Sequence, residues 1–510
     1  MVRIVGMIFG EVGYGSFNFL VSADSNLQKG EYVKASHEAY GWVMAQVQSI
    51  KRYNEMYSLD AITTGDYKPS EMSDRTIASA KVIGYVGPDE TLRIPKIPFK
   101  PGEKVYEADG TIIRRSLNLG AKTGIYLGLL EGHEESVPVY LDVNKLIQKH
   151  VCVLAKTGAG KSYTVGVLVE ELIEKRVPVV VIDPHGEYSA LKSPNTNPKE
   201  VEAMGRYGVA PTGYPNVVEF TPHQGLNPQA DRKLALDITQ MGVADFLEML
   251  PTKLTDTQKG ILFETLKVVK GYGKYTLEDI IKVIQENENK AKWNLITGLE
   301  MVRESKIFEG PPVRASDMVR KDMVAVVNLR GVQPDVQELV VARLANEIFE
   351  GRKKGRVPPL LFLIEEAHNF APERSFGTTA SSRVIRAIAS EGRKFGMGLC
   401  VVSQRPARVD KSVLSQCNTQ IILKVTNPND LRAISQSIEG FTEDLEDEIK
   451  QLQPGVALVV GDVVVQPIFV DVRTKKSRHG GASVEMVREP RKRAEAKPAT
   501  GFWKRIFKLQ

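Results

Sequence analysis

A chain of 510 residues exceeds one ordinary hydrophobic core and predicts roughly three domains of about 150 residues each. Its 42% hydrophobic and 25% charged residues are typical of soluble globular proteins, and no apolar run approaches the roughly 18 residues of a membrane span. The net charge of +6 resides in the tail from residue 473, which has 12 Lys or Arg against 3 Asp or Glu, so it does not indicate that the body binds nucleic acid.

The N-terminus and the cysteines indicate a reduced, cytoplasmic protein without stable membrane association. The first residues, MVRIVGMIFGEVGYGS, are interrupted by glycines and do not have the pattern of a signal peptide. Cys152, Cys400 and Cys417 lack the spacing of metal ligands, and the first two fall in predicted buried strands. We therefore expect free thiols.

Residues 1–135 predict a small β-barrel domain and a lead-in to the next domain. Segments such as EYVKASH, GWVMAQVQSIKRY and AKVIGYVG are rich in β-branched and aromatic residues and are separated by short polar turns. This pattern is typical of a small antiparallel barrel. No titratable cluster stands out there, so a binding or assembly role is expected.

From residue 136 the pattern predicts an α/β core. VCVLA is a short apolar strand, and a glycine loop, a helix and the second apolar strand of VPVVVIDPHGEY follow it. Continuous apolar strands in this order indicate a parallel sheet covered on both faces. We expect the core over 136–228 and 316–472. Between them, residues 229–315 repeat apolar positions at helical spacing and predict an insertion of about four helices.

Residues 155–162, AKTGAGKS, predict a phosphate-binding loop in which Ala155 replaces the first glycine of G-x-x-x-x-G-K-[ST]. A loop between a buried strand and a helix offers several backbone N–H groups to one anion. Lys161 would supply charge to the β- and γ-phosphates of ATP, and Ser162 a hydroxyl to Mg²⁺. A methyl at Ala155 is tolerable if φ is negative there. The predicted nucleotide contacts are Thr157, Gly158, Ala159, Gly160, Lys161, Ser162 and Tyr163.

LLFLIEEAH supplies two carboxylates at the end of a buried strand, where ligand sites of α/β proteins lie. Strand alternation would put them on opposite sides. We assign Glu365 to the metal and Glu366 to the general base that polarises the attacking water. The alternative is a solvated pair at the end of a strand.

Further polar residues follow other predicted strands. Asp183 and Glu187 follow the strand expected beside the phosphate strand, and we assign Asp183 to the cofactor site. His185 lies between them, although a single histidine is more often structural. Gln404 ends GLCVVSQ, where an amide can sense the γ-phosphate or merely cap a turn.

These elements together resemble a known family. The segments HVCVLAKTGAGKS, VVVIDPHGEY, LLFLIEEAHNFAP and IASEGRKFGMGLCVVSQRP, with the N-terminal barrel, resemble the HerA family of archaeal hexameric DNA helicases and translocases, within the HerA–FtsK superfamily. The similarity spans the whole chain. It implies a RecA-like P-loop NTPase core, a barrel of the HAS type, a helical-bundle insertion and a basic C-terminal extension over 473–510, predicted to be mostly extended or mobile.

The resemblance also implies function and partners. It implies a homohexameric ring around double-stranded DNA, ATP and Mg²⁺, and a partner nuclease, NurA, on the barrel side, in DNA end resection and recombination repair. Other proteins that process double-strand breaks are further candidate partners. Two departures from the family are Ala155 and Glu365, where many relatives have Asp. Neither removes a phosphate donor or a negative charge, so we expect activity.

A ring gives arginines a role in trans. Arg386 and Arg393 are seven residues apart and lie on nearly one helix face, about 20° apart. Such a face could present an arginine finger to the neighbour's γ-phosphate, and the family position favours Arg393, with Arg405 a weaker candidate. A solvated basic face is the alternative. Arg374, Arg408 and Lys411 follow other strands and are candidate contacts to DNA phosphates, or solvated surface charges.

The terminal segment FWKRIFKL has two interpretations: a membrane-surface anchor, or a brace on the next subunit, which we favour. Two other functions stay open for the chain. One is a membrane-associated ring ATPase that pumps DNA or protein in conjugation or secretion. The other is a non-motor, nucleotide-gated clamp.

Overall fold

The described part of the chain is organised by two β-sheets. The computed structural model describes residues 3–54, 74–120, 124–133, 136–250, 254–438 and 441–481. The strands of the first sheet are β1 (Ile4–Phe9), β2 (Ser16–Val21), β3 (Tyr32–His37), β4 (Gly41–Asn54), β5 (Asp74–Val86), β6 (Leu92–Arg93) and β7 (Lys104–Glu107). Those of the second are β8 (Ile125–Leu130), β9 (Pro138–Leu141), β10 (Val151–Leu154), β11 (Val179–Asp183), β12 (Val217–Thr221), β13 (Arg232–Lys233), β14 (Val324–Asn328), β15 (Leu360–Ile364), β16 (Met397–Ser403), β17 (Thr419–Ile422), β18 (Val456–Gly461) and β19 (Ile468–Val472).

The helices cover the second sheet and form the insertion. They are α1 (Gly110–Ser116), α2 (Val143–Gln148), α3 (Lys161–Glu174), α4 (Pro198–Tyr207), α5 (Val243–Met249), α6 (Asp256–Lys270), α7 (Leu277–Gln285), α8 (Lys292–Glu304), α9 (Ala315–Met318), α10 (Pro334–Lys353), α11 (Ser382–Phe395), α12 (Lys411–Leu414), α13 (Pro428–Ser437) and α14 (Glu443–Gln451). Helices α5 to α8 lie between β13 and β14, within the predicted insertion. Thr255 and Thr276 cap α6 and α7 in capping boxes, which explains where these two helices begin.

The first sheet is a closed antiparallel barrel of six strands. Its order is β2-β1-β7-β3-β4-β5, and pairing of β2 with β5 closes it, while β6 adds to β5 outside the closure. Alternate residues point inward, so that Phe17 and Phe19 are buried. The predicted small barrel is confirmed.

The second sheet has twelve strands in the order β13-β12-β14-β11-β15-β16-β10-β17-β18-β19-β8-β9. The strands from β13 to β17 are parallel, and the last four pair antiparallel. Along β11, Val180 and Ile182 belong to the hydrophobic core on one face, and Val179 and Val181 to the core on the other. This burial of both faces explains the unbroken apolar strands and confirms the predicted covered sheet.

The end of the predicted lead-in, before residue 135, contains a strand of the large sheet. Strand β8 lies before residue 135, yet it pairs with β19 and β9 in the large sheet. Its side chains are buried along its whole length, as in the other core strands. We therefore propose that the barrel domain ends before Ile125.

The chain after β19 packs on the helix of the phosphate loop. Residues 473–480, the C-terminal strap, lie across α3, where Arg473 donates from Nη1 to Glu170 at 2.9 Å and from Nη2 to Glu171 at 2.8 Å. Arg473 is fully buried. Two buried carboxylates thus hold the first residues of the tail that was predicted to be mostly extended or mobile, and the part of that tail after residue 481 lies outside the described residues. The predicted FWKRIFKL segment lies outside the described residues.

Arg473→Ala should destabilise the protein by about 3–5 kcal/mol, because it leaves the buried Glu170 carboxylate without a cation, while Glu171 keeps its ion pair with Lys476 at 3.0 Å. The change is measured as the difference in free energy of unfolding from urea titration. Arg206→Ala is the matched control, since Arg206 pairs with Asp471 at 2.9 Å from an exposed position and should cost below about 1 kcal/mol. Equal losses in the two variants would contradict the assignment.

Candidate active site

The phosphate loop connects β10 to α3 in the geometry that an anion requires. Gly158 and Gly160 have φ of 78° and 95°, in the left-handed region where side chains are unfavourable. No other group lies within 4 Å of where a Cβ of Gly158 would be, so the loop is open at that point. Ala155 is buried and has a negative φ, which is the condition under which its methyl is tolerated.

Lys161 lies between the two predicted carboxylates. Its Nζ donates to Glu365 Oε2 at 2.9 Å and to Glu366 Oε1 at 2.5 Å. Burial by itself lowers the pKa of Lys161, but the two carboxylates outweigh it and raise that pKa above its usual value. The structure thus brings together the predicted phosphate-binding cation and both predicted acids.

The expectation that the two glutamates point to opposite sides is wrong. Strand β15 ends at Ile364, and Glu366 adopts a left-handed conformation with φ of 49°. Both carboxylates therefore reach the same ammonium. A left-handed backbone at a residue with a long side chain is unfavourable, and such strain concentrates at functional sites.

One carboxylate oxygen of Glu366 accepts no hydrogen bond from any residue in the described ranges. This atom, Oε2, is buried. His368 Nδ1 lies 3.3 Å from that oxygen but is hydrogen-bonded with Ser403 Oγ at 3.1 Å. Burial lowers the pKa of His368, so its ring is neutral near pH 7. An unsatisfied buried acceptor beside a lysine is suited to hold a water molecule.

Glu365 is held from the other side by Tyr188, whose hydroxyl donates to Glu365 Oε1. Asp183 supports the loop that carries Tyr188, because its carboxylate accepts from the backbone N–H groups of His185, Gly186 and Tyr188. Burial raises the pKa of Asp183 to about 7, although these bonds oppose the rise. Asp183 therefore contacts loop backbone, while His185 is exposed. Tyr188 was missed from the sequence, although it stands in HGEY itself.

Gln404, Tyr163 and Ser162 occupy different surroundings. The Thr157 hydroxyl donates to Gln404 Oε1 at 2.5 Å, so Gln404 contacts the phosphate loop, and its role at the γ-phosphate stays a prediction. The Tyr163 hydroxyl instead donates to Glu200 at 3.0 Å and accepts from Lys475 N at 2.8 Å. Its side chain therefore faces the C-terminal strap, and only its backbone could contact a phosphate. Ser162 is half-buried at the start of α3.

The three arginines predicted to act in trans differ in whether their side chains are paired within their own chain. Arg386 donates to Asp410 Oδ2 at 3.0 Å and is thus engaged within its own chain. Arg393 lies near the end of α11 and is exposed, with no side-chain hydrogen bond or ion pair to any residue in the described ranges. Arg405 is exposed after β16. Of the two arginines predicted on this face of α11, Arg393 rather than Arg386 is free to act on another molecule.

The loops after β15 and β16 form one exposed basic surface. An isolated bridge pairs Pro372 with Val409, and Lys411 N donates to Glu373 Oε2 at 2.9 Å. Arg408 lies over the ring of Phe376 at 5.3 Å, and Phe376 is 59% exposed. Arg374 and Lys411 are exposed as well. The three predicted DNA contacts thus share one surface, and Phe376 at its tip was missed from the sequence.

The residues present fit a magnesium–nucleotide complex. No group of three or more His, Cys, Asp or Glu side chains in the described ranges forms a metal cage. Mg²⁺, however, usually takes one or two protein oxygens and completes its shell with phosphates and water. Ser162 and Glu365 supply such oxygens beside the open loop, and the unsatisfied Glu366 oxygen supplies a place for water.

Comparisons with known proteins agree on both domains. Residues 125–348 match the family model described as Helicase HerA, central domain, and residues 5–87 match the HAS barrel domain. The DNA double-strand break repair helicase HerA of Pyrococcus furiosus is 27% identical over 540 residues, which cover 94% of each chain. A protein of the same name from Saccharolobus solfataricus is 29% identical over 423 residues, 80% of each chain.

Among solved structures, VirB4 of Thermoanaerobacter pseudethanolicus matches with a TM-score of 0.52 at 18% identity, and it covers 69% of this chain and 97% of VirB4. At this identity the match concerns the fold alone. It agrees with the predicted P-loop NTPase core, which is confirmed. In the described ranges, no helix is both long and apolar enough to cross a membrane.

Proposed function

Because the chain belongs to the HerA helicase family, we propose that it is an ATP-driven motor that moves double-stranded DNA through a homohexameric ring. The observation that carries the proposal is the constellation of Lys161, Glu365 and Glu366 beside the phosphate loop, with one Glu366 oxygen unsatisfied. A phosphate loop alone would support nucleotide binding. A buried base at the same place supports hydrolysis.

Each residue of the site would have its own role in ATP hydrolysis. ATP would displace the glutamates from Lys161, whose ammonium then contacts the β- and γ-phosphates. Ser162 and Glu365 would hold Mg²⁺, which neutralises charge on the phosphates. Glu366 Oε2 would accept a hydrogen bond from the attacking water and take its proton, and Gln404, bonded to Thr157, would report the γ-phosphate to the loop after β16.

The ring completes the site. Arg393 of one chain would contact the γ-phosphate in the next, where an arginine finger is worth on the order of 10³ in rate. Its exposure and its lack of a partner within the described ranges support this role over Arg386, which Asp410 engages. A hexamer is the assembly that the family resemblance implies, and the proposal adopts it.

The proposed motor acts in DNA repair together with partner proteins. Curated relatives bear the name DNA double-strand break repair helicase, which supports a DNA repair helicase or translocase. We infer end resection with the nuclease NurA docked on the barrel side, together with other break-processing proteins, in the cytoplasm. Liposome flotation tests the rival membrane pump, and a pump would float.

DNA contact should be sequence-independent and dominated by phosphates. We expect Arg408→Ala and Lys411→Ala each to reduce the slope of log affinity for linear duplex against log salt by about 0.9, the value for one phosphate contact. Lys321→Ala is the matched control, because this exposed lysine precedes β14, at the opposite edge of the sheet. An equal slope change in the control would contradict the assigned surface.

The motor itself is tested by the ATPase rate with and without linear duplex, over a range of protein concentrations. The expected result is a rate that rises with ring assembly and rises again with DNA. A monomer that hydrolyses ATP equally fast in the absence of DNA would overturn the proposed function.

A further inference from the structure

His150 joins the strand of the phosphate loop to the helix that carries Arg393. It is the residue immediately before β10, and it is almost fully buried. Its backbone has φ of 55°, in the left-handed region that few residues other than glycine adopt. The side chain is thereby directed between β16 and α11.

The His150 ring accepts one hydrogen bond and donates another. Its Nδ1 accepts from Leu399 N in β16 at 2.9 Å, and its Nε2 lies 3.1 Å from Ala389 O in α11. Since Nδ1 accepts, the ring proton is on Nε2, which donates to Ala389. Burial lowers the pKa of His150, which keeps the ring in this neutral form.

The bond to Ala389 acts on the turn that presents Arg393. In an α-helix the carbonyl of Ala389 accepts from the N–H of Arg393, four residues later, so ring and arginine share one acceptor. Gly392 lets this turn approach β16 closely. A Cβ there would lie 2.6 Å from Met397 O, and 3.6 Å from the His150 ring. The position of Arg393 is therefore set by contacts that end at the phosphate strand.

We propose that His150 is a positioning residue that couples the phosphate loop of a chain to the Arg393 that the same chain presents to its neighbour. The inference rests on the proposed function. A shift of β10 when nucleotide enters or leaves is carried by the imidazole to α11, so the nucleotide state of one chain adjusts the arginine that the same chain presents to the site of its neighbour. This makes hydrolysis around the ring ordered.

The test compares two substitutions that each retain one bond. In His150→Asn, the Oδ1 atom replaces Nδ1 as acceptor and the residue tolerates positive φ, but nothing reaches Ala389. In His150→Gln, the amide can still donate to Ala389. Because a misplacement of 1 Å costs about 10² in rate, we expect His150→Asn to lower kcat by up to about 10² with ATP affinity unchanged, and His150→Gln to recover part of it.

A double variant distinguishes positioning from packing. If His150 acts through Arg393, His150→Asn adds no further loss to Arg393→Ala. Gly392→Ala should lower kcat as His150→Asn does, because its methyl displaces α11 while the histidine stays intact. If His150→Asn does not fold, Gly392→Ala can replace it in the double variant with Arg393→Ala.

Two results separate the hypotheses. Additive losses in the double variant, or weakened ATP binding in His150→Asn, would overturn the coupling and leave the proposed motor standing. A normal rate in Arg393→Ala would instead remove the proposed trans arginine, and the coupling with it.

Discussion

Arg393→Ala should lower ATP turnover by on the order of 10³, the effect of removing an arginine finger. The exposed guanidinium has no partner in the described ranges of its own chain, so its loss leaves folding and nucleotide binding intact. The measurement is the steady-state ATPase rate of assembled rings with linear duplex. Lys394→Ala is the matched control, because it removes an exposed positive charge one position along the same helix.

Mixed rings test whether Arg393 acts in trans. Arg393→Ala chains that also carry Glu366→Gln have no active site of their own. Added to wild-type chains, they should lower the rate more steeply than Glu366→Gln chains do, because each also disables a neighbour. Identical dose curves would show that Arg393 acts within its own chain or not at all.

Glu366→Gln should lower the hydrolysis rate by about 10² to 10⁴, the range for loss of a general base. The amide keeps the shape of the side chain but cannot take a proton from water. It also removes one of the carboxylates that hold Lys161, so ATP binding should be retained or tightened. The paired measurements are single-turnover hydrolysis and ATP affinity.

Glu391→Gln is the control for Glu366→Gln, because it neutralises an exposed carboxylate on α11. Glu365→Gln should instead raise the Mg²⁺ concentration required for half-maximal rate, since that side chain is assigned to the metal. Normal hydrolysis by Glu366→Gln would assign the base to another residue.

The parallel core could be predicted because short, continuous stretches of the sequence identify its strands and its phosphate loop. The strands are continuous apolar runs, and the glycine loop follows one of them directly, so residue type and order suffice to place it. The two glutamates were found for the same reason. Their convergence on Lys161 was not, because it depends on the left-handed backbone of Glu366, which no residue preference indicates.

Contacts between distant segments could not be predicted from the sequence. Tyr188 donates to Glu365 across 177 positions, and Asp410, in the loop after β16, accepts from Arg386 on α11. A basic tail suggests solvent exposure, yet Arg473 is buried because two glutamates of α3 face it. Each of these partners becomes visible only when the chain is folded.

The strap is synthesised long after the helix that it covers. Helix α3 carries Glu170 and Glu171 in the interior, and the guanidinium that neutralises them follows 303 and 302 positions later. Until residue 473 has been synthesised, this helix lacks the guanidinium that neutralises its two carboxylates in the fold, so we expect this face of α3 to be buried stably only after the strap is made.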